Sequence, residues 1–454
     1  MQKNDTFITT IEDIGVNGEG IGKVEGYTLF IKDTIPGDKI KGVVTKADKH
    51  FGYGRVLEVL EPSKDRVEAA CPIARRCGGC QIQEMSYERQ LIFKKQKVKN
   101  NLDRIGKLED YIIHDTLGCE NTFRYRNKAQ FPIGRNKEGK IIAGFYAGRT
   151  HDIMECEDCL IGIEENKQIL EIIISHMEQY NIEPYDEKNH KGLVRHVLIR
   201  KGFATGMIMV CIIINGEKLK ETDKLVARLV SEVKGMTDIS LNVNTEKTNV
   251  ILGKKVITLF GKGYITDYIG DVQFRISPLS FYQVNPAQTK VLYGKALEYA
   301  GLTGNETVFD LYCGVGTISL FLAKSAKKVY GVEIIPEAIE DARVNAKLNN
   351  IENAEFYVGK AEEVIPKLYN EQGITGDVVV VDPPRKGCDE KLLETIVAMA
   401  PKRMVYVSCD SATLARDLRY LSEHGFKVME VQPTDMFAHG VHVECVVLMS
   451  RKDK

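Results

Sequence analysis

Hydrophobic and polar residues alternate with a period of two over the first 60 residues, as expected for half-buried β-strands. The alternating runs are Thr6–Ile11, Thr28–Ile31, Lys39–Val44 and Arg55–Leu60. Turns are indicated by Gly18, Gly20, Gly22 and Gly26 and by the pair Pro36–Gly37. The pattern predicts a small five-stranded β-barrel of OB type over residues 1–61, with Glu61-Pro62-Ser63 as the linker that follows it.

A mixed pattern follows in residues 62–275 and predicts a central α+β domain. Residues 84–107 show helical spacing, with apolar side chains at Leu91, Ile92, Val98, Leu102 and Ile105. Strands are predicted at Lys128–Ile133, Ile141–Tyr146, His196–Arg200 and Gly206–Ile214. Helical stretches near residues 164–179 and 218–233 interrupt the strands.

Residues 276–454 alternate helical segments with short, mostly apolar strands. The strands are Thr307–Leu311, Lys328–Glu333, Ala354–Val358, Asp377–Val381, Met404–Val407, Lys427–Val431 and Val443–Leu448. Strands of this kind are buried on both faces, which is typical of a parallel sheet covered by helices. The third domain is therefore predicted to be an α/β, Rossmann-like, doubly wound sheet, and the whole chain to be multidomain.

Length and composition agree with a three-domain globular protein: the chain has 454 residues, 43% of them hydrophobic. No apolar run is long enough to span a membrane, and the first residues lack the apolar core of a secretory signal. We therefore expect a cytoplasmic protein. Its eleven cysteines are then expected to be thiols, metal ligands or nucleophiles rather than disulfides.

Positive charge is concentrated in two stretches although the net charge is only −1. The first stretch holds Arg89, Lys94, Lys95, Lys97, Lys99, Arg104 and Lys107. The second holds Arg124, Arg126, Lys128, Arg135, Lys137, Lys140 and Arg149, with interleaved aromatic residues. Cations and flat rings suit phosphates and unstacked bases, although a solvated helix face and hairpin would show the same charges.

A glycine turn follows the first strand of the third domain. Gly314 and Gly316 let a ligand approach the backbone, but Ser319 replaces the third glycine of a dinucleotide fingerprint, and a P-loop is excluded. Glu333 ends the next strand and can accept hydrogen bonds from ribose hydroxyls, while Asp310 can face a cation. The pattern indicates S-adenosylmethionine, a nucleoside with a positive sulfonium.

Two further strand ends carry candidate reactive groups, Asp382 and Cys409. Arg385 stands where amine methyltransferases have an aromatic residue and where RNA cytosine-5 methyltransferases have a second cysteine. Methylation of uracil carbon 5 remains: a thiolate adds to carbon 6, carbon 5 attacks the methyl group, and a base removes its proton. Glu444 on a late strand is a fitting base, although Cys409 could also be an ordinary buried cysteine.

A third group of candidates is the run Cys71-x5-Cys77-x2-Cys80, whose three thiols in ten residues indicate a metal. A fourth ligand must come from elsewhere, and Cys119, Cys156 and Cys159 are candidates. Their spacing fits a zinc site or an iron–sulfur cluster.

Taken together, these motifs resemble the class I S-adenosylmethionine-dependent RNA (uracil-5-)-methyltransferase family, and the N-terminal barrel resembles the TRAM domain. The resemblance is carried by Phe281–Asn285, Asp310–Gly316, Asp382–Gly387, Val407–Asp410 and His442–Glu444. It implies that Cys409 is the nucleophile and Glu444 the base. It also implies that the cofactor is contacted by Gln283, Tyr312, Glu333 and Asp382.

The same resemblance favours the branch that makes 5-methyluridine in 23S ribosomal RNA. That branch carries a [4Fe-4S] cluster, which implies Cys71, Cys77, Cys80 and Cys159 as its ligands. We expect an RNA partner, no DNA or membrane partner, and a monomer. The alternatives are a transfer RNA uridine methyltransferase and a non-catalytic iron–sulfur RNA-binding protein, with zinc as the alternative metal.

Overall fold

The structure is a computed structural model that describes residues 1–148 and 150–452. Arg149, one of the cations in the second predicted basic stretch, lies outside the described residues. Within the described ranges, no helix has both the length and the apolar character needed to cross a membrane.

The N-terminal domain is a closed five-stranded barrel, which confirms the predicted fold. Its strands are β1 (Thr6–Ile14), β2 (Gly20–Val24), β3 (Tyr27–Ile31), β4 (Lys39–Ala47) and β5 (Phe51–Glu61). The prediction was wrong for Gly20 and Gly22, which lie in β2 rather than in a turn. A Cβ at Gly20 would lie 2.1 Å from the Thr34 hydroxyl, and one at Gly22 would lie 2.7 Å from Thr9. Barrel closure therefore requires glycine at these strand positions.

The central region forms a seven-stranded sheet in the order β13-β12-β11-β10-β7-β8-β9. Its elements, with the helix and short strand that precede them, are α1 (Tyr87–Arg104), β6 (Ile112–Ile113), β7 (Lys128–Arg135), β8 (Ile141–Tyr146), β9 (Ile153–Glu155), α2 (Glu165–Gln179), β10 (Val194–Lys201), β11 (Ile208–Ile214), α3 (Thr222–Glu232), β12 (Met236–Val243) and β13 (Lys255–Phe260). One face of the sheet shares a hydrophobic core with α2 and α3. A hairpin of β14 (Ile265–Ile269) and β15 (Val272–Ile276) connects this region to the third domain.

The C-terminal domain is the predicted α/β fold with a mostly parallel sheet, in the order β18-β17-β16-β19-β20-β22-β21-β6. Its elements are α4 (Pro286–Ala300), β16 (Thr307–Leu311), α5 (Thr317–Ala323), β17 (Lys328–Glu333), α6 (Pro336–Leu348), β18 (Ala354–Val358), α7 (Ala361–Gln372), β19 (Val378–Val381), α8 (Glu390–Met399), β20 (Arg403–Ser408), α9 (Ser411–Glu423), β21 (Phe426–Thr434) and β22 (Glu444–Arg451). Strand β22 is antiparallel to both β20 and β21. Strand β6, which precedes the central sheet in sequence, pairs with β21. The domain boundaries at residues 61 and 275 stay predictions.

Helix α1 packs against the C-terminal domain and buries a partly polar face. Its buried residues are Gln90, Phe93, Lys94, Val98 and Leu102, whereas Ile92 is 54% exposed. Lys94 was predicted to belong to a basic surface, but its side chain is fully buried in an ion pair with Asp435. The charge of Lys94 therefore neutralises a buried carboxylate and does not contribute to a basic surface.

Candidate active site

The carboxyl ends of β16, β17, β19 and β20 open into one cavity of about 1660 Å³. Ligands of open α/β sheets bind at this end of the strands, outside their carboxyl termini. The cavity is lined by all ten residues predicted as site residues: Cys71, Cys77, Cys80, Cys159, Gln283, Tyr312, Glu333, Asp382, Cys409 and Glu444. The fold thus brings together side chains that are far apart in sequence.

The glycine turn between β16 and α5 forms one wall of the cavity. Gly314 and Gly316 have φ angles of 55° and 80°, a backbone conformation that favours glycine. The Gly314 amide donates to one carboxylate oxygen of Glu333 at 3.2 Å, and the Ile335 amide donates to the other at 3.1 Å. These bonds fix the Glu333 carboxylate beside the turn. Tyr312 also has a positive φ, 67°, and faces the same cavity.

Two carboxyl groups sit at adjacent strand ends, Asp310 in β16 and Asp382 just after β19. Burial raises the pKa of each to about 7. The Ser319 hydroxyl donates to Asp310 Oδ2 at 2.5 Å, while Asp310 Oδ1 is buried without a hydrogen-bond partner. Buried acids close together favour binding of a cation, because a positive charge offsets the cost of ionising them.

Gln283 lies on a loop that the central domain holds in place. The Asn127 side-chain amide donates to the Gln283 carbonyl at 3.0 Å, and the Asn127 backbone amide donates to the Val284 carbonyl at 2.8 Å. Asn285 then caps α4, where its side chain accepts a hydrogen bond from the Gln288 amide. Gln283 is thereby placed in the cavity wall, although an isolated glutamine gives no signal in the sequence by itself.

Cys409 and Glu444 lie at facing ends of two neighbouring strands. Ser408 and Cys445 are register partners in the antiparallel pair of β20 and β22, and Cys409 and Glu444 follow them outward. Burial raises the pKa of Cys409 to about 11, and the charges of Glu444 and Asp382 add to the effect. Burial also raises the pKa of Glu444 to about 8. The positive charge of Arg385 lowers both pKa values, so that this residue favours the ionised thiol and carboxyl.

The segment 435–443, which leads into Glu444, is held by helix α1 through buried polar contacts. The Lys94 ammonium lies 2.5 Å from Asp435 Oδ1 and donates to the Phe437 carbonyl at 2.9 Å. The Tyr87 hydroxyl donates to the other oxygen of Asp435 at 2.9 Å. The His439 amide donates to the Gln90 side chain at 2.9 Å.

The sequence analysis did not predict the packing of α1 against residues 435–443. Its only sequence signal is that Gln90 and Lys94 occupy the same helical stripe as Val98 and Leu102, at intervals of four residues.

Five of the cysteines in residues 71–159 also line the cavity. Cys71, Cys77, Cys80, Cys156 and Cys159 line it together, whereas Cys119 is buried apart from it. Burial raises the pKa of Cys80 to about 12, and the neighbouring thiols contribute to the shift. The Cys159 pKa is lowered, chiefly by a hydrogen bond from the Cys156 thiol, and the pKa of Cys156 is correspondingly raised. In the described part of the chain, no group of three or more His, Cys, Asp or Glu side chains is arranged to hold a metal ion.

Comparison with known proteins places this geometry in context. Residues 86–452 match the family model of the tRNA (Uracil-5-)-methyltransferase, and residues 3–57 match that of the TRAM domain. An RNA methyltransferase of Clostridium tetani, named as uncharacterized, is 51% identical over 99% of this chain and 97% of its own length. One of Bacillus cereus is 52% identical over 100% of this chain and 98% of its own.

A solved structure agrees with these relatives. The tRNA (uracil-54, C5)-methyltransferase of Pyrococcus abyssi, in complex with S-adenosyl-L-homocysteine, superposes with a TM-score of 0.78. The match has 27% identity and covers 98% of this chain and 100% of that one. Because the family model spans the third domain, α1 and the central sheet, the chain belongs to the RNA (uracil-5-)-methyltransferase family and carries an N-terminal TRAM domain.

Proposed function

We propose that this protein transfers a methyl group from S-adenosylmethionine to carbon 5 of a uridine in RNA. The observation that carries the proposal is the pairing of Cys409 with Glu444 at facing strand ends, beside Asp382 and the glycine turn. A nucleophile and a base side by side at one end of a strand pair suit a reaction in which one ring carbon is attacked and its neighbour is later deprotonated.

The reaction begins when the Cys409 thiol loses its proton to solvent and the thiolate adds to carbon 6 of the uracil ring, which creates an enolate. Carbon 5 then takes the methyl group from the sulfonium. Glu444 removes the carbon 5 proton, and the Cys409 thiolate leaves as the ring double bond is restored. The target uridine must leave its stack to reach Cys409, as in other enzymes that act on a base. Arg385 favours the thiolate needed for the first step, because its charge lowers the Cys409 pKa.

Gln283, Tyr312, Glu333 and Asp382 are the residues that we propose for the cofactor. Glu333 is already fixed beside the glycine turn, in a position suited to ribose hydroxyls. Asp382 lines the cavity and offers its carboxyl to a positive sulfonium, whereas Asp310 is buried behind the lining. The cofactor bound by the P. abyssi enzyme supports this choice. A cavity of about 1660 Å³ also exceeds the range typical of one small ligand, which leaves room for nucleotides.

We further propose 23S ribosomal RNA as the substrate and a [4Fe-4S] cluster on Cys71, Cys77, Cys80 and Cys159. Burial and the neighbouring thiols raise the pKa of Cys77 and of Cys80, so a shared cationic centre would favour their ionised form. Such a cluster would tie the 71–80 segment to Cys159.

A second candidate substrate is transfer RNA, because the P. abyssi enzyme matches the chain almost from end to end and acts on tRNA uracil 54.

One experiment tests the reaction and its substrate together. Ribosomal and transfer RNA from a deletion strain are mapped by mass spectrometry, and then incubated with purified protein and S-adenosylmethionine. We expect 5-methyluridine to be missing from one 23S position and restored in vitro. If 5-methyluridine were restored in transfer RNA alone, transfer RNA rather than 23S ribosomal RNA would be the substrate. Methylation of neither RNA would overturn the proposed activity.

The cluster has a test of its own. Protein purified without oxygen is expected to be brown and to contain about four iron atoms per chain, and Cys77→Ser should lose both properties. A colourless, zinc-containing protein would contradict the cluster.

A further inference from the structure

Three cations meet at the start of β7, and among the described residues none of them forms an ion pair with an acid. Lys128 and Arg200 are register partners in the antiparallel pair of β7 and β10, so their side chains share one face of the sheet. Arg126 joins them, because its Nε donates to the Lys128 carbonyl at 3.1 Å. Like charges directly opposite each other on a sheet are destabilising. The arrangement therefore costs stability in the free protein.

Burial increases this cost. Arg200 is 3% exposed, and its Nε has no hydrogen-bond partner. Burial, together with the charges of Arg200 and Arg126, lowers the pKa of Lys128 to about 8. Among the described residues, no carboxylate forms an ion pair with Lys128. A buried cation without a counter-charge indicates that an anion arrives from outside.

The position of the group limits which anion this is. Lys128 and Arg126 line the same cavity as Cys409 and Glu444. Asn127, between them in sequence, holds the loop that carries Gln283. Lys128 and Arg126 are thus part of the cavity lining that the central domain supplies, and Arg200 lies buried behind them.

We propose that Lys128, supported by Arg126 and Arg200, is a subsite for a backbone phosphate of the RNA substrate, next to the uridine that is methylated. The inference rests on the proposed function and adds a contact that fixes the register of the RNA strand. A phosphodiester is the anion that every nucleotide next to a flipped-out base carries, and contacts to phosphates position an RNA without reading its sequence.

Two other anions are available and define the alternatives. One is the carboxylate of S-adenosylmethionine. The other is the group of cysteine sulfurs, because Arg126 lies close enough for its charge to favour ionisation of Cys159 and Cys80. Removal of the Lys128 charge should weaken RNA binding if the anion is a phosphate, cofactor binding if it is the carboxylate, and iron binding if it is the cysteine group.

The test compares Lys128→Gln with the charge-conserving Lys128→Arg and with Lys218→Gln. Lys218 is an exposed lysine in the same domain and lies outside the cavity lining. Binding of an unmodified 23S rRNA transcript, and of an unmodified tRNA transcript, is measured by fluorescence anisotropy over a range of salt concentrations. S-adenosylhomocysteine affinity, iron content and melting temperature are measured on the same preparations.

We expect Lys128→Gln to bind the RNA about three- to tenfold more weakly near 0.1 M salt. The slope of log K against log salt should fall by about 0.7 to 0.9 in magnitude, as for one lost phosphate contact. Lys128→Arg should restore both values, and Lys218→Gln should leave them unchanged. The melting temperature of Lys128→Gln should not fall, because the variant removes a like-charge contact.

An unchanged salt slope in Lys128→Gln would overturn the subsite. If S-adenosylhomocysteine affinity then fell, the anion would be the cofactor carboxylate, and if iron content fell, it would be the cysteine group. A wild-type chain that binds neither RNA would overturn the proposed function together with the subsite. A wild-type chain that methylates RNA, beside a Lys128→Gln variant with an unchanged slope, would overturn the subsite alone.

Discussion

Cys409 and Glu444 face each other because β22 runs antiparallel to β20 in a sheet whose strands β16 to β20 are parallel. If β22 were parallel to β20, its first residue would lie beside the first residue of β20, at the end of the strands away from the cavity. The reversal instead places a carboxyl from the start of β22 beside a thiol from the end of β20. In the free protein burial raises the pKa of Cys409 to about 11 and that of Glu444 to about 8, so the thiol must lose its proton before it attacks, and the carboxyl must lose its own before it acts as the base.

Replacing Cys409 with alanine should abolish methylation while leaving cofactor binding intact. The thiolate is the only group proposed to attack the ring, so the rate should fall at least about a thousandfold. Transfer of a labelled methyl group to RNA measures the rate, and calorimetry with S-adenosylhomocysteine measures binding. Cys211→Ala, in a buried cysteine of the central sheet, should keep the methylation activity. Methylation at the normal rate by Cys409→Ala would exclude the covalent mechanism.

Replacing Glu444 with glutamine should trap the reaction after methyl transfer. The amide cannot remove the carbon 5 proton, so Cys409 stays bonded to carbon 6. We expect an RNA–protein adduct that survives a denaturing gel and disappears in the double variant with Cys409→Ala. Glu423→Gln, at an exposed ion pair with Arg419, serves as the control and should form no stable adduct. If Glu444→Gln turned over RNA without an adduct, another group would be the base.

The sequence was sufficient to predict the sheet and the residues at its strand ends. Wholly apolar strands such as Val378–Val381 can only be buried on both faces, and a parallel sheet collects their carboxyl ends at one edge. The strand pattern alone therefore assigns Asp382 and Cys409 to one site. Glu444 was placed on a late strand, but its position opposite Cys409 depends on the antiparallel register of β22.

The contacts between domains could not be predicted in this way. Lys94 and Asp435 are 341 positions apart, and no local pattern pairs a lysine with one particular aspartate over that distance. The cations around Lys128 were recognised as a basic stretch, but only the pairing of β7 with β10 brings Arg200 to them. Gly20 and Gly22 were misassigned because closely spaced glycines indicate a turn when only the local sequence is considered. In the barrel these two positions lie within a strand, where neighbouring side chains leave no room for a Cβ.

The buried carboxyls predict how stability changes with pH. Folding raises the pKa of Asp382 to about 7 from a usual value near 3.8. The folded state then keeps a proton that the unfolded state releases, so the free energy of unfolding falls as pH rises between about 4 and 7. Asp382→Asn should flatten this fall. At pH 8 it should increase the free energy of unfolding by about 1–3 kcal/mol and therefore raise the melting temperature. Calorimetry of the ligand-free protein from pH 5 to 8 measures the effect.

A matched control separates this effect from a general change of charge. The pKa of Asp271 is lowered, chiefly by its hydrogen bond with Lys324, so Asp271→Asn should not flatten the pH dependence. An Asp382→Asn protein with the wild-type pH profile would show that the Asp382 carboxyl ionises freely in the folded state.

The ion pair of Lys94 and Asp435 predicts a coupling between helix α1 and the catalytic segment. Lys94→Met should leave the Asp435 charge buried without its partner and cost about 3–5 kcal/mol of stability, measured by urea unfolding. Lys95→Met, in the exposed pair with Asp115, should cost less than about 1 kcal/mol. The double variant Lys94→Met with Asp435→Leu should recover stability but not the methylation rate, because residues 435–443 lose the contacts that place Glu444. Full activity in that double variant would show that the segment holds its shape without α1.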